Sequence, residues 1–248
     1  MKTSIIIFLV MCCSFFCAAQ LETQELFANM NEVEVSPPIF TGARNTAILE
    51  NSGTNYFKDY LIKSLNSIKG KLSDDGTEVV SFVVTSTGQV ADIEVINSVS
   101  TAIDREFIAI IEGTSGMWRP ALKDGRYAAM PQEVSVAISY TDNAEVVKEF
   151  FQRKAEKFFS KAGNVLFEKR DLKRAENLYD RAILYMPNDC SNLIMRGLCR
   201  FERGNKDGAI DDWSRVKVLG DVDIQELFFA EDIKVMDGYK ELITLLGE

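Results

Sequence analysis

Residues 77–97 read TEVVSFVVTSTGQVADIEVIN. Thr77–Thr85 is rich in β-branched residues, and it places Val80, Phe82 and Val84 on one face of an extended chain. Val90–Asn97 alternates in the same way, and Ser86-Thr87-Gly88-Gln89 makes a tight connection between the two runs. The stretch therefore predicts an antiparallel hairpin with one apolar face.

Two segments with helical spacing flank the hairpin. From Tyr56 the apolar residues Phe57, Leu61, Leu65 and Ile68 recur every three or four positions, and Gly70 ends the run. After the hairpin the same spacing returns over Asp104–Glu112. Each segment therefore predicts a helix with one apolar side.

A third strand follows near residue 134. Val134, Val136, Ile138 and Tyr140 alternate with Glu133, Ser135, Ala137 and Ser139, as in a strand with one wet face. The order helix, strand, strand, helix, strand predicts an α+β domain with two helices on one face of a three-stranded antiparallel sheet.

The segments next to these predicted helices and strands show neither the helical nor the strand spacing of apolar residues. Pro37-Pro38 makes Glu32–Ala43 extended. A loop is expected to carry Trp118-Arg119-Pro120 and Lys123-Asp124-Gly125, with Trp118 anchored in the core.

The second half is predicted to be all helical. Glu145–Ala162 is dense in helix formers, and a leading helix is expected over Glu145–Phe158. Two segments then align with a period of 34 residues, which pairs Gly163 with Gly197, Ala175 with Ala209, and Tyr179 with Trp213. The glycines and alanines are expected to let paired helices approach closely, and the aromatic residues to wedge between successive helix pairs. Residues 221–248 are expected to cap the stack.

The composition excludes several classes of site. The chain has 248 residues, a formal net charge of −9 and no histidine. Catalytic and metal sites that depend on histidine are therefore absent. The acidic balance disfavours nucleic acid as a partner. The acidic pair Asp211-Asp212 is interpreted as a solvated helix face or a cap, and we expect no metal, no cofactor and no enzymatic activity.

The amino terminus resembles a targeting segment. Lys2 precedes an apolar run, and Cys17-Ala18-Ala19 ends it with small residues. We therefore predict a signal peptide over 1–19, cleaved after Ala19, and a loose leader over 20–31. The apolar stretch is short for a bilayer span, and an uncleaved anchor facing the periplasm is the alternative.

Two cysteines remain beyond the predicted signal peptide. Cys190 and Cys199 are nine positions apart on one predicted helix, which places them on nearly opposite sides and too far apart for a disulfide. Both are interpreted as small buried apolar residues.

The first half resembles the TonB C-terminal domain family. The resemblance rests on Glu34–Gly42, on the hairpin from Val80 to Val90, and on Met117-Trp118-Arg119-Pro120-Ala121 followed by Asp124-Gly125 and a strand. It implies a domain over 32–142 that works in the periplasm and adds an extended segment of an outer-membrane transporter to a sheet edge. The strand-edge residues expected to bind are Val134, Val136, Ile138 and Tyr140.

The second half resembles tetratricopeptide repeats, with a domain over 145–248. In that family the inner helices line a groove that binds another protein. Carried over by the 34-residue alignment, the resemblance implies eight groove residues, which are Lys157, Ser160, Asn164, Phe167, Ser191, Ile194, Leu198 and Phe201.

Three functional hypotheses follow. The first is an exported periplasmic module that binds an extended segment of an envelope protein by strand addition and a second protein in the repeat groove. The second is a TonB-type energy transducer, or an accessory of outer-membrane transport, held by an uncleaved anchor. The third is an enzyme that uses paired carboxylates. The absence of a recognisable catalytic set favours the first.

Overall fold

The central feature of the computed structural model is an antiparallel sheet that is covered on one face by two helices. The structure describes residues 35–42, 53–66, 74–139, 141, 143–220 and 231–247. The predicted signal peptide (1–19), the predicted leader (20–31), Tyr140 and the start of the predicted cap (221–230) lie outside the described residues. The residues from Val35 onwards group into one compact unit.

The fold is mixed α+β, with a helical second half. The described strands are β1 Val35–Ser36, β2 Ile39–Phe40, β3 Gly76–Val84, β4 Val90–Asn97, β5 Trp118–Arg119, β6 Ala121–Lys123, β7 Arg126–Ala128 and β8 Met130–Ile138. The described helices are α1 Gly53–Asn66, α2 Thr101–Glu112, α3 Ala144–Lys169, α4 Leu172–Ile183, α5 Cys190–Glu202, α6 Lys206–Leu219, α7 Glu231–Lys234 and α8 Gly238–Gly247.

The main sheet has the strand order β4-β3-β8, and both pairings are antiparallel. The register between β3 and β8 runs without interruption from Gly76 opposite Ile138 to Val84 opposite Met130. The predicted hairpin, the predicted third strand and the two predicted helices are thus confirmed in the described residues, whereas Ile68 and Gly70 at the predicted end of the first helix lie outside them. Alternation in β3 directs Val80, Phe82 and Val84 to one core, which they share with the buried residues of α1 and α2.

Trp118 lies at the centre of this core, as predicted. Its ring centroid is 4.9 Å from that of Phe57, 5.1 Å from that of Phe40 and 5.5 Å from that of Phe82. Its indole N–H donates to Thr114 Oγ1 at 3.0 Å, so the buried polar atom is satisfied. The aromatic cluster joins β2, α1, β3 and β5 in one contact.

The loop expected around residues 118–125 contains the short strands β5 and β6, and β7 follows it directly, so that expectation is wrong. β5 pairs with β2, and β6 pairs with both β1 and β7. Asp124 and Gly125 have φ angles of 50° and 71°, which suit the two-residue turn between β6 and β7. The extended conformation expected for 32–43 is confirmed in the residues the structure describes, where β1 and β2 lie.

The helical half contains two helix pairs at the predicted offset. Asp171 caps the amino terminus of α4 and accepts from the backbone N–H of Arg174. Asn205, 34 residues further on, caps α6 and accepts from Gly208. Ala175, Ala209, Tyr179 and Trp213 are all fully buried in one apolar cluster. Cys190 and Cys199 lie on the single helix α5 as predicted, and no disulfide joins them. Cys199 is buried as expected, whereas Cys190 is only half-buried.

Two expectations about this half are wrong. The leading helix does not end before the first repeat, because α3 continues unbroken from Ala144 to Lys169. Gly163 does not allow a close helix approach, since a Cβ atom built on it would meet nothing within 4 Å. At Gly197 the same atom would lie 2.8 Å from Cδ1 of Trp213, so that approach is confirmed.

The interpretation of Asp212 as a solvated residue is also wrong. Asp212 is 4% exposed and accepts from Arg196 Nη2 at 2.6 Å and from Arg200 Nη1 at 3.0 Å. Arg196 also bonds Asp180 of α4. Burial raises the pKa of Asp212, and the two guanidinium groups oppose that shift. These contacts hold α4, α5 and α6 together through charge.

The two halves meet at the start of β3. The backbone N–H of Thr77 donates to the carbonyl of Leu184 at 2.8 Å, and its hydroxyl donates to the carbonyl of Tyr185 at 2.7 Å. On the neighbouring edge strand, Glu133 forms a two-pronged ion pair with Arg215 of α6. The loop after α4 therefore supplies main-chain acceptors to the sheet.

Gly197→Ala tests the close contact in the helical half. The added methyl group would overlap the Trp213 ring, so we expect the free energy of unfolding to fall by about 1–3 kcal/mol. Gly163→Ala is the matched control, because its methyl group meets open space and alanine is the better helix former; there we expect a gain of about 0.5–1 kcal/mol. Denaturant unfolding measures both, and equal effects would contradict the packing described.

Asp212→Ala tests the buried ion network. The substitution leaves Arg196 and Arg200 without their shared carboxylate, so we expect a loss of about 3 kcal/mol or more in unfolding free energy. The adjacent and exposed Asp211→Ala should change it by less than about 0.5 kcal/mol. If both variants unfolded at the same denaturant concentration, the network would contribute nothing.

Candidate functional site

β8 is an edge strand of the main sheet. It pairs with β3 on one side, and no described strand pairs with its other side. The side chains of Val134 and Val136 are 6% and 4% exposed, and they belong to the core beneath the helices. Ile138 is half-buried and packs against the same core. The side chains of these three predicted edge residues therefore face the interior of the protein.

The direction of the β8 peptide groups follows from Thr77. Its N–H donates to Leu184, and its carbonyl oxygen accepts from the Asn97 side chain at the β4 side. Thr77 therefore makes no ladder bond to Ala137, its cross-strand neighbour in β8. Because bonded and non-bonded pairs alternate along an antiparallel ladder, the N–H and C=O groups of Glu133, Ser135 and Ala137 point away from β3.

Pro131 supports this assignment independently. It lies in β8 opposite Val83 and has no N–H to donate. Proline is tolerated in an edge strand where its nitrogen faces away from the ladder. Pro131 and Ser135 are an even number of residues apart, so their backbone nitrogens point to the same side of β8. The bonds of Thr77 and the position of Pro131 therefore both place the peptide groups of the odd-numbered residues of β8 on the open side.

The opposite edge of the sheet has a different character. The pairing of β4 with β3 contains register shifts, and Asp92 within β4 adopts a φ of 49°. Such irregularities, together with Asp92 and Glu94, interrupt the row of peptide groups that another strand would need. Among the described residues, β8 therefore offers the more regular of the two outer edges.

The outer face of β8 is polar and partly covered. Arg215 Nη2 donates to Glu133 Oε1 and to Asn188 Oδ1, both at 2.7 Å. Ser135 is half-buried, and Ala137 is exposed. A strand added to this edge would therefore have α6 and the loop after α4 near one of its faces. Sequence reasoning noted the polar residues of this face but had no signal for Arg215, which lies 82 residues further along the chain.

The first half of the predicted groove is an open surface. Lys157, Ser160, Asn164 and Phe167 are spaced along one side of α3, and all four are exposed. Phe167 is 39% exposed, which is high for a phenylalanine. These four residues are called the α3 stripe below. They form a continuous polar surface that ends on an aromatic ring.

The second half of the predicted groove is largely core. Ile194 and Leu198 are 5% and 0% exposed, and they belong to the same apolar cluster as Leu242 of α8. Phe201 is half-buried, stacks on Trp213 and packs closely against Gly238. Ser191 is half-buried at the start of α5. The structure therefore places Ile194 and Leu198 where no partner reaches them, because α8 and α6 pack on that side of α5.

The described residues contain no group of three or more Cys, Asp or Glu side chains that could hold a metal ion. No helix in the described part of the chain combines the length and the apolar character that crossing a bilayer requires. What the described surface does offer is the β8 edge, with its aligned peptide groups, and the α3 stripe. Both are surfaces suited to binding other polypeptides.

Comparison of the chain with protein-family models, with curated proteins and with solved structures found no match.

Proposed function

We propose that this protein is a binding module that captures an extended segment of another protein on the β8 edge. The supporting observation is the row of outward peptide groups at Glu133, Ser135 and Ala137, which the bonds of Thr77 and the position of Pro131 assign independently. An added strand would accept hydrogen bonds from three N–H groups and donate to the neighbouring carbonyl oxygens.

The geometry also describes the partner segment. Residues directly opposite one another in a ladder share a face of the sheet. Side chains opposite Val134 and Val136 would lie on the helix-covered face, and those opposite Glu133 and Ser135 on the face that carries Arg215. A segment that alternates apolar and polar residues over about five positions fits this edge.

The resemblance of the first half to TonB C-terminal domains agrees with this proposal. The arrangement of two helices on a three-stranded antiparallel sheet is compatible with that fold, and strand addition is the binding mode the resemblance implies. We propose an exported protein of the periplasm, with a segment of an envelope protein such as an outer-membrane transporter as its partner. The role is binding, without catalysis or a cofactor.

A second partner is proposed for the helical half. Its helix pairs repeat every 34 residues, as tetratricopeptide repeats do, and the α3 stripe is the exposed part of the expected groove. Because Ile194 and Leu198 are buried, the proposed contact surface is limited to Lys157, Ser160, Asn164 and Phe167.

The alternative is a transducer or transport accessory held in the membrane by an uncleaved amino-terminal segment. The observation that motivates it is the apolar run that ends at Ala19. Sequencing the amino terminus of the exported protein separates the two proposals. A chain that begins at Gln20 excludes the anchor, and a chain that begins at Met1 excludes the free module.

Ser135→Pro tests strand addition at β8. The substitution removes one outward N–H and no ladder bond, so the fold should survive while capture of the extended partner from envelope extract falls at least tenfold. Ser135→Ala is the control, since it keeps the N–H and should capture the partner as the wild type does. Circular dichroism of both variants checks the fold. Equal capture by the two folded variants would rule out this edge.

Phe167→Ala tests the second surface. We expect this variant to lose a protein that Ser135→Pro retains, and to retain the one that Ser135→Pro loses, because the two surfaces bind different partners. Ile210→Ala removes an apolar side chain that is 37% exposed on α6, and it serves as the control for non-specific loss. Mass spectrometry of the captured proteins provides the comparison. Loss of the same protein from both variants would contradict two separate partners.

A further inference from the structure

Glu78 of β3 is an acidic residue without contact to solvent. Its exposed fraction is 0%, and it lies on the core face of the strand with Val80 and Phe82. One carboxyl oxygen, Oε2, accepts from the backbone N–H of Val99 at 2.8 Å. The other, Oε1, has no hydrogen-bond partner in the part of the chain that the structure describes. A buried carboxylate with one free oxygen is costly.

The negative charge of Asp104 makes that cost larger. Asp104 lies in the first turn of α2, where its two oxygens accept from the Ser98 hydroxyl at 2.8 and 3.0 Å. Asp104 is the charged group that acts on Glu78, whereas β8 places the uncharged Val136 opposite it. Two carboxyl groups thus meet where β3, the 98–100 loop and the start of α2 come together.

The balance of these contacts favours the neutral acid. Burial, with a smaller contribution from Asp104, raises the pKa of Glu78 to about 8, although the Val99 N–H opposes the shift. When Oε1 carries the proton, its O–H group can donate a hydrogen bond to Asp104. The oxygen that otherwise lacks a partner then has one. The same groups without the proton would set the buried charge of Glu78 against the charge of the half-buried Asp104.

We propose that Glu78 is a pH-sensitive latch. With a proton on its carboxyl group it holds the start of α2 on the central strand through Asp104, and loss of the proton replaces that contact with repulsion between two carboxylates. The latch lies next to Thr77, where the helical half contacts the sheet. Loss of this contact would therefore affect both the main core and the junction between the halves.

The direction of the pH dependence follows from linkage. A carboxyl group that binds its proton more tightly in the folded state stabilises the fold fully below its unfolded-state pKa of 4.5. That contribution is lost as the pH rises towards 8, and above 8 no further loss occurs. Between these limits the folding equilibrium constant should fall by about tenfold per pH unit on account of this one group.

Denaturant unfolding of the full chain between pH 5 and pH 9, with Glu78→Gln as the comparison, tests the latch. The amide keeps an acceptor for Val99 and offers a donor to Asp104, but it does not titrate. We expect the wild type to lose stability relative to Glu78→Gln by close to tenfold per pH unit from about pH 5.5 to pH 7.5, and to change in parallel with it above about pH 8.5. Parallel curves over the whole range would overturn the proposal.

A second measurement does not depend on how well the variant folds. Carbon-13 NMR of the glutamate carboxyl groups in the wild type should show Glu78 titrating near pH 8, and Asp104→Asn should lower that midpoint by removing the neighbouring charge. Amide hydrogen exchange at residues 98–104, corrected for its intrinsic pH dependence, should speed up above the midpoint. A Glu78 that titrates below pH 5, or exchange that does not follow its ionisation, would show that no latch operates.

Discussion

The alternating direction of the peptide groups in β3 is the constraint on which the rest of this structure depends. Because β3 is the central strand, the peptide groups of its even-numbered residues bond to β8. Those of its odd-numbered residues bond to β4 and to the loop after α4. This alternation determines which side chains of β3 enter the core, including that of Glu78. It also determines which peptide groups of β8 make no bond to β3. The proposed binding edge is therefore a consequence of how the centre of the sheet is bonded.

The helical half is stabilised by close helix packing and by ion pairs between helices. Small residues at positions 175, 197 and 209 bring the helices close, and the large rings of Tyr179 and Trp213 fill the space between them. Charge then links the same helices, since Arg196 and Arg200 bond carboxylates from α4 and α6. Arg200 lies 34 residues after the buried Leu166, and its ion pairs with Glu176 and Asp212 explain how a charge is tolerated there.

Sequence periodicity predicted the long elements because each of them buries one face over several turns or alternations. It missed β5, β6 and β7, since strands of two or three residues are too short to show a period. It misread Asp212, whose partners lie on another helix, and Gly163, whose neighbourhood no local pattern records. The predicted edge residues Val134, Val136 and Ile138 do lie on β8, but the bonds of Thr77 show that their peptide groups face β3. Within β8 itself only Pro131 indicated this direction.

The loop after α4 has a consequence for how this protein could be divided. Leu184 and Tyr185 give their carbonyl oxygens to Thr77, and the Tyr185 ring packs with Val147, Phe151 and Ala155 at the start of the long helix α3. A cut between the halves would leave a backbone donor of the central strand facing water and expose the apolar side of α3. Fusion of either half to an unrelated sequence would therefore need other acceptors in place of these two carbonyl oxygens. We expect the two halves to be inherited together.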